Sequence, residues 1–225
     1  MKKFEAIVVI NNVKYKRIPI KTRILSPEDD IIELMKEYVQ PLYQAGDIVT
    51  LSESPVAITQ GRAIPVSELK IGWLAKFLWR FVAKVPYGVG LRAPESMQCA
   101  IDETGGLRII LAAGIGAITK LFGIKGMFYR VAGMQAALID AATTSPVPPY
   151  DKCVIKGPKN PQKVTEQILQ ATGIDTVIMD INDIGGSWAI GASKNIDKKL
   201  VEKIMKDNPQ GQGDELTPFC IIRKE

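Results

Sequence analysis

The sequence predicts an α+β fold in which mixed sheets carry flanking helices. Short β-branched runs, such as residues 13–20, 48–51 and 176–179, read as strands set among helical patterns. Helix boundaries are marked by proline, acids and glycine, as at Ser26-Pro27 and Gly173. Strict strand–helix alternation is missing, which argues against a doubly wound parallel sheet. With 225 residues, 46% of them hydrophobic and 24% charged, the chain has ample length for one large core. We read it as a single domain over 1–225, with a subdivision near 143–150 as the alternative.

Taken in order, residues 4–10 and 13–20 form two strands around a hairpin turn at Asn11-Asn12. Ser26-Pro27-Glu28-Asp29-Asp30 supplies an N-cap, a first-turn proline and acids for the positive helix end, so a helix starts there and runs through Tyr38. Gly46-Asp47 turns into a strand at 48–51. Residues 70–85 predict a helix with Lys76, Arg80 and Lys84 on one face and Trp73, Phe77 and Phe81 elsewhere. Such a helix serves a core or dimer interface more readily than a membrane surface, although its amphipathicity does not separate the two. Residues 94–101 read as a helix, 107–111 as a strand, 112–126 as a small, glycine-rich stretch and 129–142 as a helix. The Pro-rich stretch 143–150 breaks it. Strands at 151–155, 176–179, 188–192 and 219–223 and helices at 161–172 and 198–207 complete the pattern.

Composition narrows the chemistry. There is no histidine, which removes the commonest general base, the Ser-His and Cys-His nucleophile pairs and the commonest transition-metal ligand. Cys99, Cys153 and Cys220 are few, far apart and without a Cys-x-x-Cys, so neither a zinc site nor a disulfide framework is expected. A net charge of +5 favours anionic ligands, yet no basic cluster interleaved with aromatics points to nucleic acid. The charged start Met1-Lys2-Lys3 and an apolar run at 109–119 too short to span a bilayer lead us to expect a cytoplasmic protein that is not embedded in a membrane. Chemistry in such a chain rests on carboxylates, amides, Lys/Arg and a hard cation.

Two acid–amide–glycine segments meet that requirement. The apolar run 176–179 opens into Asp180, Asn182, Asp183 and the pair Gly185-Gly186, which places hard oxygen donors at a strand end, suited to Mg²⁺ or Mn²⁺ beside a phosphate. A polar turn is the plain alternative. Before the last strand, the stretch Asn208 to Pro218, with Gly211-Gln212-Gly213-Asp214-Glu215 at its centre, offers backbone amides to an anion with Gln, Asp, Glu and Thr among them, a flexible surface loop being the plain alternative. Lys21-Thr22-Arg23 could clamp phosphate oxygens, or be solvated. The run Gly114-Ile115-Gly116 after the expected strand invites a dinucleotide-binding reading, but the third glycine position is Thr119. No P-loop pattern occurs.

Taken together, Ile18-Pro19-Ile20, Gly46-Asp47 through Glu53-Ser54, Val56-Ala57-Ile58, Gln60-Gly61-Arg62, Ala113-Gly114-Ile115, Val177 through Asn182, Gly191-Ala192-Ser193, and Gly211-Gln212-Gly213 with Pro218 and Arg223 resemble the coenzyme F420 γ-glutamyl ligases, in that family's order. The resemblance implies an α+β, intertwined homodimer that uses GTP (or ATP) and Mg²⁺ or Mn²⁺ to activate a carboxylate as an acyl phosphate for attack by glutamate. By the same resemblance Asp180, Asn182 and Gln212 would hold metal. Lys21, Thr22, Arg23, Glu53, Ser54, Gly211, Gly213 and Asp214 would face nucleotide. No residue is assigned as a catalytic nucleophile. Two positions depart from the pattern: Gly116 replaces a metal-binding aspartate and Ile58 a lysine near the nucleotide. The departures leave open a homologue that binds nucleotide or anion and acts by association.

Overall fold

The computed structural model describes residues 4–82, 90–124, 126–182 and 186–225. In chain order the elements are β1 (Ile7–Ile10), β2 (Val13–Ile20), α1 (Ile31–Leu34), β3 (Ile48–Ser52), α2 (Glu53–Thr59), β4 (Ala63–Pro65), α3 (Trp73–Leu78), α4 (Pro94–Thr104) and α5 (Gly106–Leu121). There follow α6 (Met127–Ala132), α7 (Met134–Ala137), β5 (Cys153–Ile155), α8 (Pro161–Thr172), β6 (Thr176–Ile181), β7 (Ser187–Ala192), α9 (Lys198–Ile204) and β8 (Phe219–Lys224). The class is α+β, as the sequence predicts. No single helix among the described residues is long and apolar enough to cross a membrane.

The chain folds into two compact units, one made of Met1–Gly61 and Pro158–Glu225, the other of Arg62–Gly157. The first is built on a six-stranded sheet ordered β1-β2-β8-β3-β6-β7, in which only β3 and β6 run parallel. The β1–β2 hairpin turns on Asn11 and Asn12, whose φ values of 51° and 62° suit the short polar side chains that tolerate this region. One face of the sheet buries Val177, Met179, Cys220 and Ile222 against Val201, Ile204 and Met205 of the α9 region. By strand alternation Val49, Leu51 and Ile178 point the other way, toward α2 and α8, which pack on β3 and β6. The buried Arg17 of β2 donates to Ile204 O at the C-terminal end of α9 and pairs with Asp207. A cation there meets the negative end of the helix.

The second unit pairs β4 with β5 antiparallel and packs α3–α7 around Met97, Cys99, Ala100, Ile109 and Ala112. Its buried charge is balanced by Glu103, which accepts from Arg62 at 2.9 Å and from Lys156 at 3.1 Å. Burial pushes the Glu103 carboxyl up, but the hydrogen bonds from Arg62 and Lys156 outweigh it and hold it below the usual carboxylate range.

Several sequence expectations need correction. Residues 107–111 are not a strand; they open the sixteen-residue helix α5, which also absorbs most of the glycine-rich stretch after them. A short apolar run does not distinguish a buried strand from a helix, and packing decides it here. The dinucleotide reading falls with that strand. The helix expected from Ser26 starts instead after Asp30, whose carboxylate caps Ile32 N–H and Glu33 N–H, and its end is wound as a π segment, Met35–Val39. Asp29 captures the Ser26 N–H and makes a turn of the segment before it. The helix expected over 129–142 is two short helices, broken at Gly133 (φ 96°), where an added Cβ would sit 2.8 Å from the Arg108 guanidinium. The helix expected over 70–85 is confined to α3 and a 3₁₀ turn, Trp79–Phe81; Lys84 lies outside the described residues.

Candidate functional site

Sheet register, rather than sequence proximity, assembles the site. Ile20 of β2 faces Phe219 of β8, Leu51 of β3 faces the same Phe219, and Ser52 of β3 stands beside Met179 of β6. Ile181 of β6 faces Ser187 of β7. Consequently the ends of β2, β3 and β6 and the starts of β7 and β8 share one edge of the sheet. Lys21-Thr22-Arg23, Glu53-Ser54, Asp180–Asn182 and the 211–218 loop all leave from that edge. Edges where strands end in loops are where an α/β scaffold presents ligand-binding groups. Because β3 and β6 are parallel, Glu53 and Asp180 each follow a matched pair, so the backbone reaches these two residues at the same level of adjacent strands.

The loop before β8 is fixed by Gln210, which lies in the stretch 208–218 but is not among the expected site residues. Gln210 is buried; its Oε1 accepts from Thr50 Oγ1 at 3.0 Å, and its Nε2 donates to Ser52 Oγ at 2.9 Å and to Pro218 O at 2.7 Å. Thr217 Oγ1 donates to Gln210 O, and Thr22 N–H to Leu216 O at 2.8 Å, which joins the loop to the end of β2. Gln212 Nε2 donates to Ile181 O at 2.9 Å, tying the loop to the end of β6. A buried glutamine cannot be told from a solvated one by spacing, so no sequence signal marked Gln210.

Within the loop, Gly213 N–H donates to the Glu215 carboxylate at 2.8 Å. A Cβ on Gly211 (φ 73°) would lie 2.6 Å from that carboxylate, and one on Gly213 2.8 Å from it. The glycines thus allow an anion close against the backbone, and the chain's own Glu215 occupies that place. Asp214 is exposed. Asn182 Oδ1 accepts from Gly186 N–H at 2.8 Å, next to the start of β7. Trp188, also absent from the expected set, pairs with Asp180 in register and leaves its ring half exposed at this edge. Asp183 and Gly185 lie outside the described residues.

Not every expected contact is a ligand contact. Arg23 donates to both oxygens of Asp29, at 2.7 and 2.6 Å, and holds the Asp29 carboxyl down to about 2. That pairing commits its charge to a turn in the same segment, while Lys21 stays exposed. Gly191-Ala192-Ser193 is a packing clip: a Cβ on Gly191 would lie 2.5 Å from Pro161 C, and Ser193 Oγ accepts from Thr176 N–H at 2.9 Å. Gln60 exchanges two bonds with the Lys159 backbone, at 2.7 and 3.1 Å. The three thiols are buried, and burial raises them, Cys99 to about 11 and Cys220 to about 12, so neither of these two is a thiolate at neutral pH.

Among the described residues no three His, Cys, Asp or Glu side chains converge as a metal cage. The donors at the sheet edge suit another mode. Mg²⁺ is commonly held by one or two carboxylates with phosphate and water completing its shell, and Asp180 is the carboxylate of that kind expected from the sequence at this edge. Asn182 and Gln212 flank that position through the end of β6.

A family model described as F420-0:Gamma-glutamyl ligase matches residues 19–195, about four-fifths of the chain. The chain belongs to this family. The match runs from the last two residues of β2 through β7, including Lys21–Arg23, Glu53-Ser54 and Asp180–Asn182, and ends before the 211–215 loop. The family's activity is γ-glutamyl ligation in coenzyme F420 biosynthesis. No curated protein matches the chain. Both departures noted in the sequence fall in apolar packing. Ile58 is buried in α2, and Gly116 lies inside α5, where an added Cβ would stand 3.1 Å from Phe128 Cβ.

Proposed function

We propose that this member of the family joins glutamate to a small acidic acceptor in an amide bond, at the expense of GTP or ATP and with Mg²⁺ or Mn²⁺. An acceptor carboxylate oxygen attacks the terminal phosphorus, the bond to the nucleoside diphosphate breaks, and an acyl phosphate forms. The glutamate amine then attacks the acyl carbon; phosphate departs with the C–O electron pair, and the amine proton passes to phosphate or solvent. A bound divalent cation would neutralise charge on the transferring phosphoryl group. The chain's part is positioning, which suits a site without histidine or an ionised thiol.

The observation that carries this reading is the gathering of Lys21–Arg23, Glu53-Ser54, Asp180–Asn182 and Gly211–Glu215 at one sheet edge. In it Asp180 holds the cation with Asn182 and Gln212, while the glycine loop and Lys21 meet phosphate oxygens once Glu215 swings aside. The test is incubation with GTP or ATP, Mg²⁺ or Mn²⁺, glutamate and a panel of carboxylate acceptors, followed by mass spectrometry. A glutamyl mass increment that needs both nucleotide and metal is expected. A second reading, a homologue that binds nucleotide or anion without turnover, is favoured by Glu215 on the Gly213 N–H and by the apolar settings of Ile58 and Gly116. Nucleotide binding by calorimetry with no product from any acceptor would select it.

A further inference from the structure

The feature that the ligase site leaves unused is the apolar surface of the unit Arg62–Gly157. On α3 and its 3₁₀ extension, Trp73 is 77% exposed and Phe81 66%, with Phe77 half exposed between them. On α5, Ile109 and Ala112 face the core, while Leu107 (85%), Leu111 (58%), Ile118 (58%) and Leu121 (86%) form a second stripe open to solvent. A helix apolar on both faces needs a second apolar surface. The two helices meet, since a Cβ on Gly106 would sit 3.3 Å from the Leu74 side chain. Exposed apolar area on this scale marks an interaction surface rather than scattered residues.

Charge decides what covers it. Between Leu69 and Pro94, and again between Thr104 and Ile139, the sequence has nine Lys or Arg and no Asp or Glu. The unit Arg62–Gly157 holds twelve Lys or Arg against six Asp or Glu, a net +6, whereas the rest of the chain is at −1. Lys76, Arg80 and Lys120 are exposed on the apolar elements themselves. Asp102 of α4, exposed beside the start of α3 through Gln98, is the acid nearest this face, so a twofold contact with a second copy would bring together surfaces in which cations outnumber carboxylates. An anionic lipid surface answers both the apolar stripes and the charge. With sixteen residues, α5 extends about 24 Å, short of a bilayer core of about 30 Å. It also bends by 115° from α4.

We propose that this face docks on an anionic bilayer surface, its Trp, Phe and Leu side chains seated at the acyl boundary and its Lys and Arg on the headgroups. The contact lies in the membrane interface and does not span it. The sequence alone gave a membrane surface less weight than a core or dimer interface; what shifts the weight is the exposure of Trp73, Phe81, Leu107 and Leu121.

The test is cosedimentation of the full chain with vesicles of phosphatidylcholine alone or mixed with phosphatidylglycerol. Binding to the mixed vesicles, weakened by salt and accompanied by a blue shift of tryptophan fluorescence, is expected. Replacing Lys76, Arg80 and Lys120 by Gln should weaken binding by about fivefold per cation, roughly 100-fold together. Changing Phe77, Leu107 and Leu121 to Ser should abolish it with the circular dichroism spectrum and Tm unchanged. The proposal fails if the protein ignores both vesicle types, or if the Gln variant binds like wild type. It also fails if the Ser changes convert a dimer to a monomer while vesicles never bind, for then a second copy covers the face. Should the Ser variant unfold, the Gln variant, altered only at exposed charges, decides. Because the readout is partition rather than turnover, the outcome is independent of the ligase reading.

Discussion

Single residues show how differently two polar side chains can serve one site. Asp180 is placed by strand register at the edge where we propose that a cation and phosphate bind, whereas Gln210 ties the loop of that edge to β3. Gln210→Ala removes four side-chain bonds and leaves buried Thr50 with only its longer bond to Cys220 O among oxygen acceptors, so it should cost about 2–3 kcal/mol. Chemical denaturation should read that as a lower midpoint, with nucleotide affinity reduced as the loop loosens. Gly116 poses the opposite case. A side chain there meets Phe128 backbone atoms at 3.4 Å, so Gly116→Asp should destabilise by about 1–3 kcal/mol rather than restore a metal ligand. Thermal unfolding with and without Mg²⁺ checks this; a metal-dependent rise in Tm unique to the variant would show that the position still belongs to a cation site.

At the level of elements, the strand runs were largely legible because β-branched residues bounded by Gly, Pro and Asn leave few alternatives. The hairpin at Asn11-Asn12 and the helix from Pro161 to Gly173 were readable for the same reason: capping and turn chemistry is local. The segment 107–121 was not legible, since an apolar run reveals its state only through what it packs against. The motif Gly191-Ala192-Ser193 was noticed for its resemblance, yet its role is mechanical, letting the start of α8 approach β7. Gly191→Ala puts a methyl 2.5–2.9 Å from Pro161 and Gln162 backbone atoms that cannot rotate away. It should be the most damaging alanine substitution at a glycine in the sheet unit, at about 3 kcal/mol by the usual cost of overpacking. A comparison of urea midpoints with Gly173→Ala, whose added Cβ meets nothing within 4 Å, would measure the difference.

For the molecule as a whole, stability and function divide along different charges. Glu103 and Asp29 are both held below the usual carboxylate range, Asp29 at about 2. A carboxyl depressed in the folded state stabilises above its unfolded pKa, about 4.3 for Glu and 3.9 for Asp, and loses that contribution as pH falls through its folded value. Stability should therefore fall as pH drops from about 4.5 toward 2, and Glu103→Gln with Asp29→Asn should flatten that slope. Urea midpoints across that range check the sign. How the sheet gathers residues 21–23, 53–54, 180–182 and 211–215 was not legible beforehand, because strand order is a property of the whole chain. The candidate residues could be picked by type; that they share one edge emerges only from β2, β3, β6 and β8 pairing as they do.

The claim on which the rest depends is that this edge performs nucleotide-driven glutamyl transfer with Asp180 at its centre. Glutamate-dependent phosphate release, measured beside the glutamyl product by mass spectrometry for wild type and Asp180→Asn, tests it most directly. Equal amounts of phosphate and product are expected from the wild type, with a loss of at least about 100-fold in turnover for Asp180→Asn, a change that leaves the side chain's size nearly unaltered. Wild-type turnover in the variant, or product formed without nucleotide, would contradict the claim.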